Sequence, residues 1–434
     1  MLPQLQILEE QRLPRLHKRA GLVGSALERI GRHSVLLFLA ELLSRAFQFL
    51  AAVYVARALG PEATGLLAFA QVLLLFLTVV GDGGLGIYGV REMARSQASR
   101  WTIWARVTVL RVALSTLGCA AAVGLVSLSR WDTLTKEVVV LTLLAAIPLA
   151  AMPDWAFRGT ERMGKAAALA ASVPVVTLAG LALAVHQPSD VVLVPVVRAA
   201  AIAAVAAAGC LLWVRSEGHS DSRGAGTWWM RPQQALGLVQ ACVPLLVANI
   251  FVLVHANVDV VVVRSLLGDA AAGVYSAAYR LIQLPMVGFY AITAAALPVL
   301  AELMGRPGGR GIEKTLVWFG AVAGTLVGAG MWAARDLLVR TVYGAAFSPG
   351  IPVLGLLAWA IPLDFVVAAK GTAYVAAGRE RLAAGCMAAA ATTNVIVNLL
   401  LLPRWGVMGA ATAALISYTT LLALYVIFLD REGR

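Results

Sequence analysis

The stretch YVARALGPEATGLLAFAQ, residues 54–71, closes one apolar run and opens the next across a tight Leu59–Gly60 step. Its spacing recurs. Leu59, Gly60, four residues and Gly65 are matched by Leu267, Gly268, four residues and Gly273, at an offset of 208. A second set, Gly159, Glu161 and Arg162, is matched by Gly378, Glu380 and Arg381 at an offset of 219. Two matches in the same order read as an internal duplication, each copy carrying its own array of apolar runs.

Outward from that stretch the chain is 434 residues long, 60% hydrophobic and 13% charged, with a mean hydropathy of +0.82. That composition belongs to a membrane protein and supplies about twelve spans of roughly 20 residues each. Apolar runs are read at 34–56, 63–89, 101–127, 137–157, 166–185 and 191–214, then at 235–263, 273–301, 315–334, 351–369, 382–402 and 407–429. The expected fold is all-α and integral to the membrane, with about twelve transmembrane helices in two six-helix lobes. An even number of spans per copy makes the lobes parallel, related by a pseudo-twofold axis along the membrane normal. The expected organisation is a basic cytoplasmic segment 1–33, a lobe 34–214, a cytoplasmic linker 215–234, a second lobe 235–429 and a tail 430–434. The first apolar run is too long for the core of a cleaved signal peptide and is read as a retained span. The polar stretches are too short to build a catalytic domain beside the membrane.

Orientation follows from the basic residues. With the N-terminus inside, 23 Lys and Arg fall on inner segments and 7 on outer ones. The expectation is an inner (plasma) membrane protein, multi-pass, with both termini cytoplasmic. The net charge of +12 is accounted for by this bias and by attraction to anionic membrane lipids, with no nucleic-acid partner required. Cys119, Cys210, Cys242 and Cys386 lie far apart inside apolar runs, without the spacing of a metal site. No glycine-rich loop ending in Gly-Lys-Ser/Thr is present, so neither a metal nor a nucleotide cofactor is expected.

The stretch from Tyr54 to Arg95, including GDGGLGIYGVREMAR, and the segment PDWAFRGTERMGK from Pro153 to Lys165 resemble the polysaccharide-transporter branch of the multidrug/oligosaccharidyl-lipid/polysaccharide exporter superfamily, which includes O-antigen flippases. The resemblance covers nearly the whole chain in pattern, and its motifs are structural turns. It implies the exporter (MATE-like) fold and a flippase that moves polyprenyl-diphosphate-linked oligosaccharide from the inner to the outer leaflet by alternating access. It also implies work alongside glycosyltransferases and a polysaccharide polymerase in cell-surface polysaccharide biosynthesis. The lipid II flippase branch typically carries two further C-terminal spans, so twelve spans point away from it.

Charges inside spans are costly and mark wet cavities or partners. Arg45 and Arg111 lie roughly 15 Å into their spans, near the midplane, and Arg198 and Arg280 roughly 10 Å from the outer ends of theirs. A guanidinium fork binds phosphate oxygens in two places, so these four are the expected substrate-binding residues for a lipid diphosphate, Arg45 and Arg111 ranking first because Arg198 and Arg280 could also reach headgroups by their long stems, Arg280 as an interfacial anchor beside Tyr275 and Tyr279. Glu41 stands four residues before Arg45, so mutual neutralisation is the equal alternative there; Glu41 is otherwise a gating residue. Arg111 has no acid at helical spacing. Asp364, between Pro362 and Lys370, and Asp259, one turn after His255, are the expected ion-coupling carboxylates. Asp82 and Asp154 read as caps or turns, and Asn249, Asn257, Asn394 and Asn398 as interhelical contacts or sugar ligands.

Two other functions compete with the flippase. An ion-coupled multidrug or organic-cation antiporter of the same fold favours acids over arginines at the cavity midplane, and Arg45 and Arg111 argue against it. A membrane glycosyltransferase or ligase needs clustered carboxylates or a substantial outer loop, and the longest outer loop here runs only from about Arg335 to Gly350. The chain is not expected to be an enzyme.

Overall fold

A computed structural model describes residues 2–95, 100–217, 232–303 and 307–431, with side chains placed except at 2–38, 232, 245, 307–310 and 429–431. The helical run Leu2–Asp82 is broken at Gly60 (φ 80°, ψ −178°) into α1 (2–59) and α2 (61–82). There follow α3 (Leu85–Arg95), α4 (Arg100–Leu128), α5 (Thr133–Gly159), α6 (Met163–Ala184) and α7 (Pro188–Glu217). The second half supplies α8 (Pro232–Leu267), α9 (Asp269–Leu303), α10 (Pro307–Ala333), the short α11 (Arg335–Val342), α12 (Gly350–Ala376), α13 (Glu380–Trp405) and α14 (Val407–Arg431). Eleven segments among the described residues are long and apolar enough to cross a bilayer, and the first of them contains two helices across Gly60. The chain is therefore a multi-pass helical membrane protein, with twelve spans among the described residues.

The second span is shorter than the apolar run 63–89. Gly83 and Gly84 take φ of 53° and 87° and end α2, so that α3 forms a separate amphipathic helix with Leu85, Gly89 and Met93 turned inward. Trp155 of the PDW segment, 4% exposed, packs where a Cβ on Gly89 would stand. Of the expected connecting segments, residues 218–231 of the linker and 432–434 of the tail lie outside the described residues, and the basic segment 1–33 continues α1 as helix from residue 2 without described side chains.

Backbone geometry shows where the halves correspond. Gly60 and Gly268 (φ 87°) break the chain between the first and second spans of each lobe, at the offset of 208. The later pair corresponds at a different register. Glu161 (φ 58°) and Gly378 (φ 70°) are the left-handed residues that end α5 and α12. Around them Arg162 N–H reaches Phe157 O (2.8 Å) while Glu161 N–H reaches Arg158 O (3.1 Å). Likewise Arg379 N–H reaches Tyr374 O (3.0 Å) and Gly378 N–H reaches Val375 O (3.0 Å). These are the same helix-ending turn, so the equivalence runs at 217, two residues from the spacing read in the sequence. The αL position fixes the turn, and in the first lobe it is occupied by a glutamate.

The lobes meet most closely at the end of the bundle that carries Gly60 and Gly268. A Cβ on Gly65 would strike the Asp269 carbonyl and the Gly273 nitrogen, and one on Gly273 would strike the Pro61 carbonyl and the Gly65 nitrogen. The first turns of α2 and α9 thus cross backbone against backbone. Ala56, Ala68 and Val72 of the first lobe share one apolar cluster with Val263, Ala272 and Tyr275 of the second. At the opposite end Cys242 and Leu238 of α8 join the first-lobe cluster of Leu85, Trp155 and Trp213.

Gly65→Ala and Gly273→Ala should each lower thermal stability despite the better helix propensity of alanine, by about 1–3 kcal/mol as expected for overpacking. Gly330→Ala, which meets nothing within 4 Å, is the control. Equal melting temperatures for all three would contradict the close crossing.

Candidate functional site

Just before each glycine break stands an arginine that reaches the other lobe. Arg57 of α1 donates from Nε to the Val342 carbonyl (2.8 Å) and from Nη2 to the Thr341 carbonyl, at the end of α11. Arg264 of α8 pairs with Asp269 (Nε to Oδ1 2.5 Å) and donates from Nη2 to Thr135 Oγ1 (3.1 Å) at the start of α5. Its guanidinium also lies over Phe69 (4.3 Å to the ring centre) and near Trp131 (5.7 Å), first-lobe rings that meet edge to face. Each lobe therefore clasps the other by one arginine, flanking the Gly65–Gly273 crossing. Asp132 caps α5 through the Thr135 N–H (3.0 Å). The Thr135 hydroxyl, then its N–H, and the Arg264 charge hold the Asp132 carboxyl below the usual carboxylate range. A depressed carboxyl contributes stability above its unfolded value and loses it as the pH falls through the folded one. The contribution of Asp132 to this double latch is accordingly intact throughout the neutral range.

The four arginines singled out in the sequence divide into two kinds. Arg45 pairs with Glu41 (2.8 Å), both about half exposed on α1. On the same helix Ser44 is buried, receives the Gln48 amide (3.1 Å) and itself bonds Ala170 O of α6 (3.3 Å). Arg111 of α4 lies 2.8 Å from Asp82 at the end of α2, an acid far away in sequence. Its Nε and Nη1 are buried without a well-directed hydrogen bond, so proximity of charge holds this pair. Asp82 also accepts the Gly84 N–H (3.2 Å), which is the turn role read for it.

Arg198 of α7 and Arg280 of α9 are different. They come from opposite lobes, are half-buried, and form no ion pair among the described residues. Arg198 is nevertheless within electrostatic reach of Arg280 across the lobes, and Arg280 of Tyr343 within the second lobe. Tyr343 directly follows Val342, whose carbonyl receives Arg57.

The second lobe holds a polar interior. Asp259 of α8 is buried and accepts Tyr275 Oη (2.7 Å) and Asn398 Nδ2 (2.6 Å); Asn398 also donates to Asn394 O (2.9 Å). Asp364 of α12 is buried and accepts Tyr290 Oη (2.7 Å), while its Oδ2 has no partner. Further along α12, Lys370 meets Glu313 of α10 (3.4 Å). Asp259 and Asp364 therefore share one lobe on different helices, and Asn394 and Asn398 are interhelical partners of the first. The latch arginines Arg57 and Arg264 escaped the sequence reading because they stand beside turns, where a basic residue needs no special account; their matched places before Gly60 and Gly268 were the available signal.

A family model described as polysaccharide biosynthesis protein matches residues 30–304. The chain belongs to that family. It is similar to the teichuronic acid biosynthesis protein TuaB of Bacillus subtilis (strain 168), 26% identical over 134 residues, which cover 30% of this chain and 27% of that relative's length. The fold resembles the lipid II flippase MurJ in an inward closed conformation, with a TM-score of 0.71 and 13% identity over 91% of this chain and 87% of that one. It also resembles an inward-facing multidrug resistance MATE family transporter, with a TM-score of 0.73 and 13% identity over 89% and 94%. The fold is that of the exporter superfamily.

The latch should show as a cross-lobe coupling. In a double-mutant cycle of Arg264→Ala and Thr135→Val, the two losses of stability should be non-additive by about 0.5–3 kcal/mol. Strict additivity would mean that Arg264 does not hold the first lobe.

Proposed function

We propose that this protein is a flippase that carries a polyprenyl-diphosphate-linked oligosaccharide from the inner to the outer leaflet of the inner membrane by alternating access. Membership of a polysaccharide biosynthesis family supports the substrate class, and the exporter fold supports the transport cycle. The observation that carries the site is the pair Arg198 and Arg280, one guanidinium from each lobe with no acidic partner among the described residues. Two forks at that place match the oxygens of a diphosphate, whose charge needs compensation in a low-dielectric interior. A bound diphosphate draws both lobes onto one anion, so binding and lobe movement are linked through the same two residues.

Arg111 and Arg45 are secondary contacts, each able to exchange a carboxylate, Asp82 or Glu41, for phosphate as the headgroup passes. Glu41 then gates by recapturing Arg45. The basic bias places the termini in the cytoplasm and the glycine end outside, so the double latch closes the outer side. Asp259 and Asp364 are the ion-coupling carboxylates. Glycosyltransferases supply the lipid-linked substrate and a polymerase consumes it.

Translocation of a fluorescent polyprenyl-diphosphate oligosaccharide in proteoliposomes tests the reading. Arg198→Ala and Arg280→Ala should each reduce the initial rate about tenfold or more, as loss of a charge-assisted contact of 1.5–3 kcal/mol requires, and lysine should restore part of it. Arg45→Ala should cost less. A native rate unchanged by both central substitutions would remove the site. A native protein inert to the lipid but exchanging an organic cation for protons would favour the antiporter.

A further inference from the structure

His255 of α8 forms no part of the scheme above, yet its hydrogen bonding is informative. Its Nδ1 is 3.0 Å from Ser417 Oγ of α14, and Ser417 Oγ donates to Ala390 O of α13 at 2.8 Å. A hydroxyl has one hydrogen, so with that hydrogen on Ala390 the serine accepts from the ring, and Nδ1 carries the proton. The reverse arrangement makes one hydrogen bond where this one makes two. Nε2 is then a bare lone pair, and it is buried with no partner. Tyr418 meets the ring edge to face at 5.1 Å.

The buried carboxylates nearest in the second lobe, Asp259 and Asp364, are not paired with a cation among the described residues, and both are satisfied by neutral donors, Tyr275 with Asn398 and Tyr290. His255 Nε2, Asp364 Oδ2 and Asn398 Oδ1 are all buried without a hydrogen-bond partner among the described residues. The polar groups on α8 and the other second-lobe helices include Asp259 and Arg264 on α8 itself, Tyr275, Tyr279, Arg280 and Tyr290 on α9, Asp364 and Lys370 on α12, the neutral Asn394 and Asn398 on α13, and Ser417 and Tyr418 on α14, the last two meeting the His255 ring. Among these groups the imidazole is the one base that becomes a cation on taking a proton.

We propose that His255 is the proton-accepting group of the transport cycle, its Nε2 taking a proton from water in one lobe arrangement and returning it to water in another. This inference deepens the flippase reading and rests on it for the cycle. The imidazolium lies one turn from Asp259 and draws that carboxylate from Tyr275 and Asn398. The same helix ends in Arg264, nine residues beyond His255 and so roughly 13 Å along the axis. Proton uptake therefore acts on the helix whose last turn holds the outer latch, and the cation that drives the lipid is the proton.

Two measurements decide it. Isotope-labelled histidine in the membrane-embedded protein, with the His255 signal identified by its loss in His255→Gln, should show the Nδ1–H tautomer at neutral pH. In proteoliposomes with the fluorescent lipid-linked oligosaccharide, the ratio of initial rates with and without an imposed pH gradient should fall to about one in His255→Gln. Ser417→Ala, which removes the Nδ1 acceptor together with the bond to Ala390 O, should shift the pH–rate profile. An imposed sodium gradient should leave the native rate unchanged. A His255 ring carrying its proton on Nε2, or a gradient response surviving His255→Gln in protein of native melting temperature, would overturn the proposal while the flippase stands. If the native protein moves no lipid, the flippase reading falls, and the tautomer still decides the proton site.

Discussion

Two helices can cross backbone against backbone only where neither carries a Cβ at the contact, and the whole arrangement of this protein turns on one such crossing. Gly65 and Gly273 occupy equivalent places in the two halves and exclude a side chain from each other's backbone. Because the contact lies at a turn between the first and second spans of each lobe, it joins the lobes at one end of the bundle. Apolar packing continues from it into a shared cluster. The arginines just before the two glycine breaks add polar contacts on either side. A joint of this kind is bistable: the backbones fit closely or they separate, with few intermediate packings at native density.

Charge within the bilayer sorts by the same logic of partners. Arg45, Arg111 and Arg264 each have a carboxylate at ion-pair distance, and Arg57 has two backbone carbonyls. Among the described residues Arg198 and Arg280 have no such carboxylate, and they approach each other from opposite lobes. An unpaired guanidinium in a low-dielectric setting is costly unless an anion visits it. The second lobe presents the converse, carboxylates held by tyrosine and asparagine with no cation. Among the described residues, two guanidiniums without a carboxylate thus face each other at the lobe boundary, and two carboxylates without a cation lie inside the second lobe.

The sequence disclosed most of the fold because membrane spans are read from composition and length, which need no knowledge of contacts. The twelve spans and the Gly60/Gly268 duplication follow from the residues directly. The second repeat was legible only in part: the letters align at 219 but the turn geometry at 217, because a helix-ending left-handed residue need not be glycine, as Glu161 shows. Depth along a span ranked Arg45 and Arg111 above Arg198 and Arg280, yet depth is silent about partners. Glu41 was visible at helical spacing, whereas Asp82 reaches Arg111 from another helix and only the fold brings it there. His255 and Asp259 stood one turn apart in the sequence, while Ser417, which fixes the ring, lies 162 residues away.

The central claim is that the lobes pivot, parting at the glycine end when they close at the other. Pulsed dipolar spectroscopy measures it directly, with spin labels at Arg130 and Leu337 across the glycine end and at Arg95 and Arg381 across the opposite end, all exposed positions. The distances should change in opposite senses when the lipid-linked oligosaccharide is added, lengthening at the glycine end as they shorten at the other. Two distances that stay fixed, or that lengthen together, would contradict the opening of one end as the other closes.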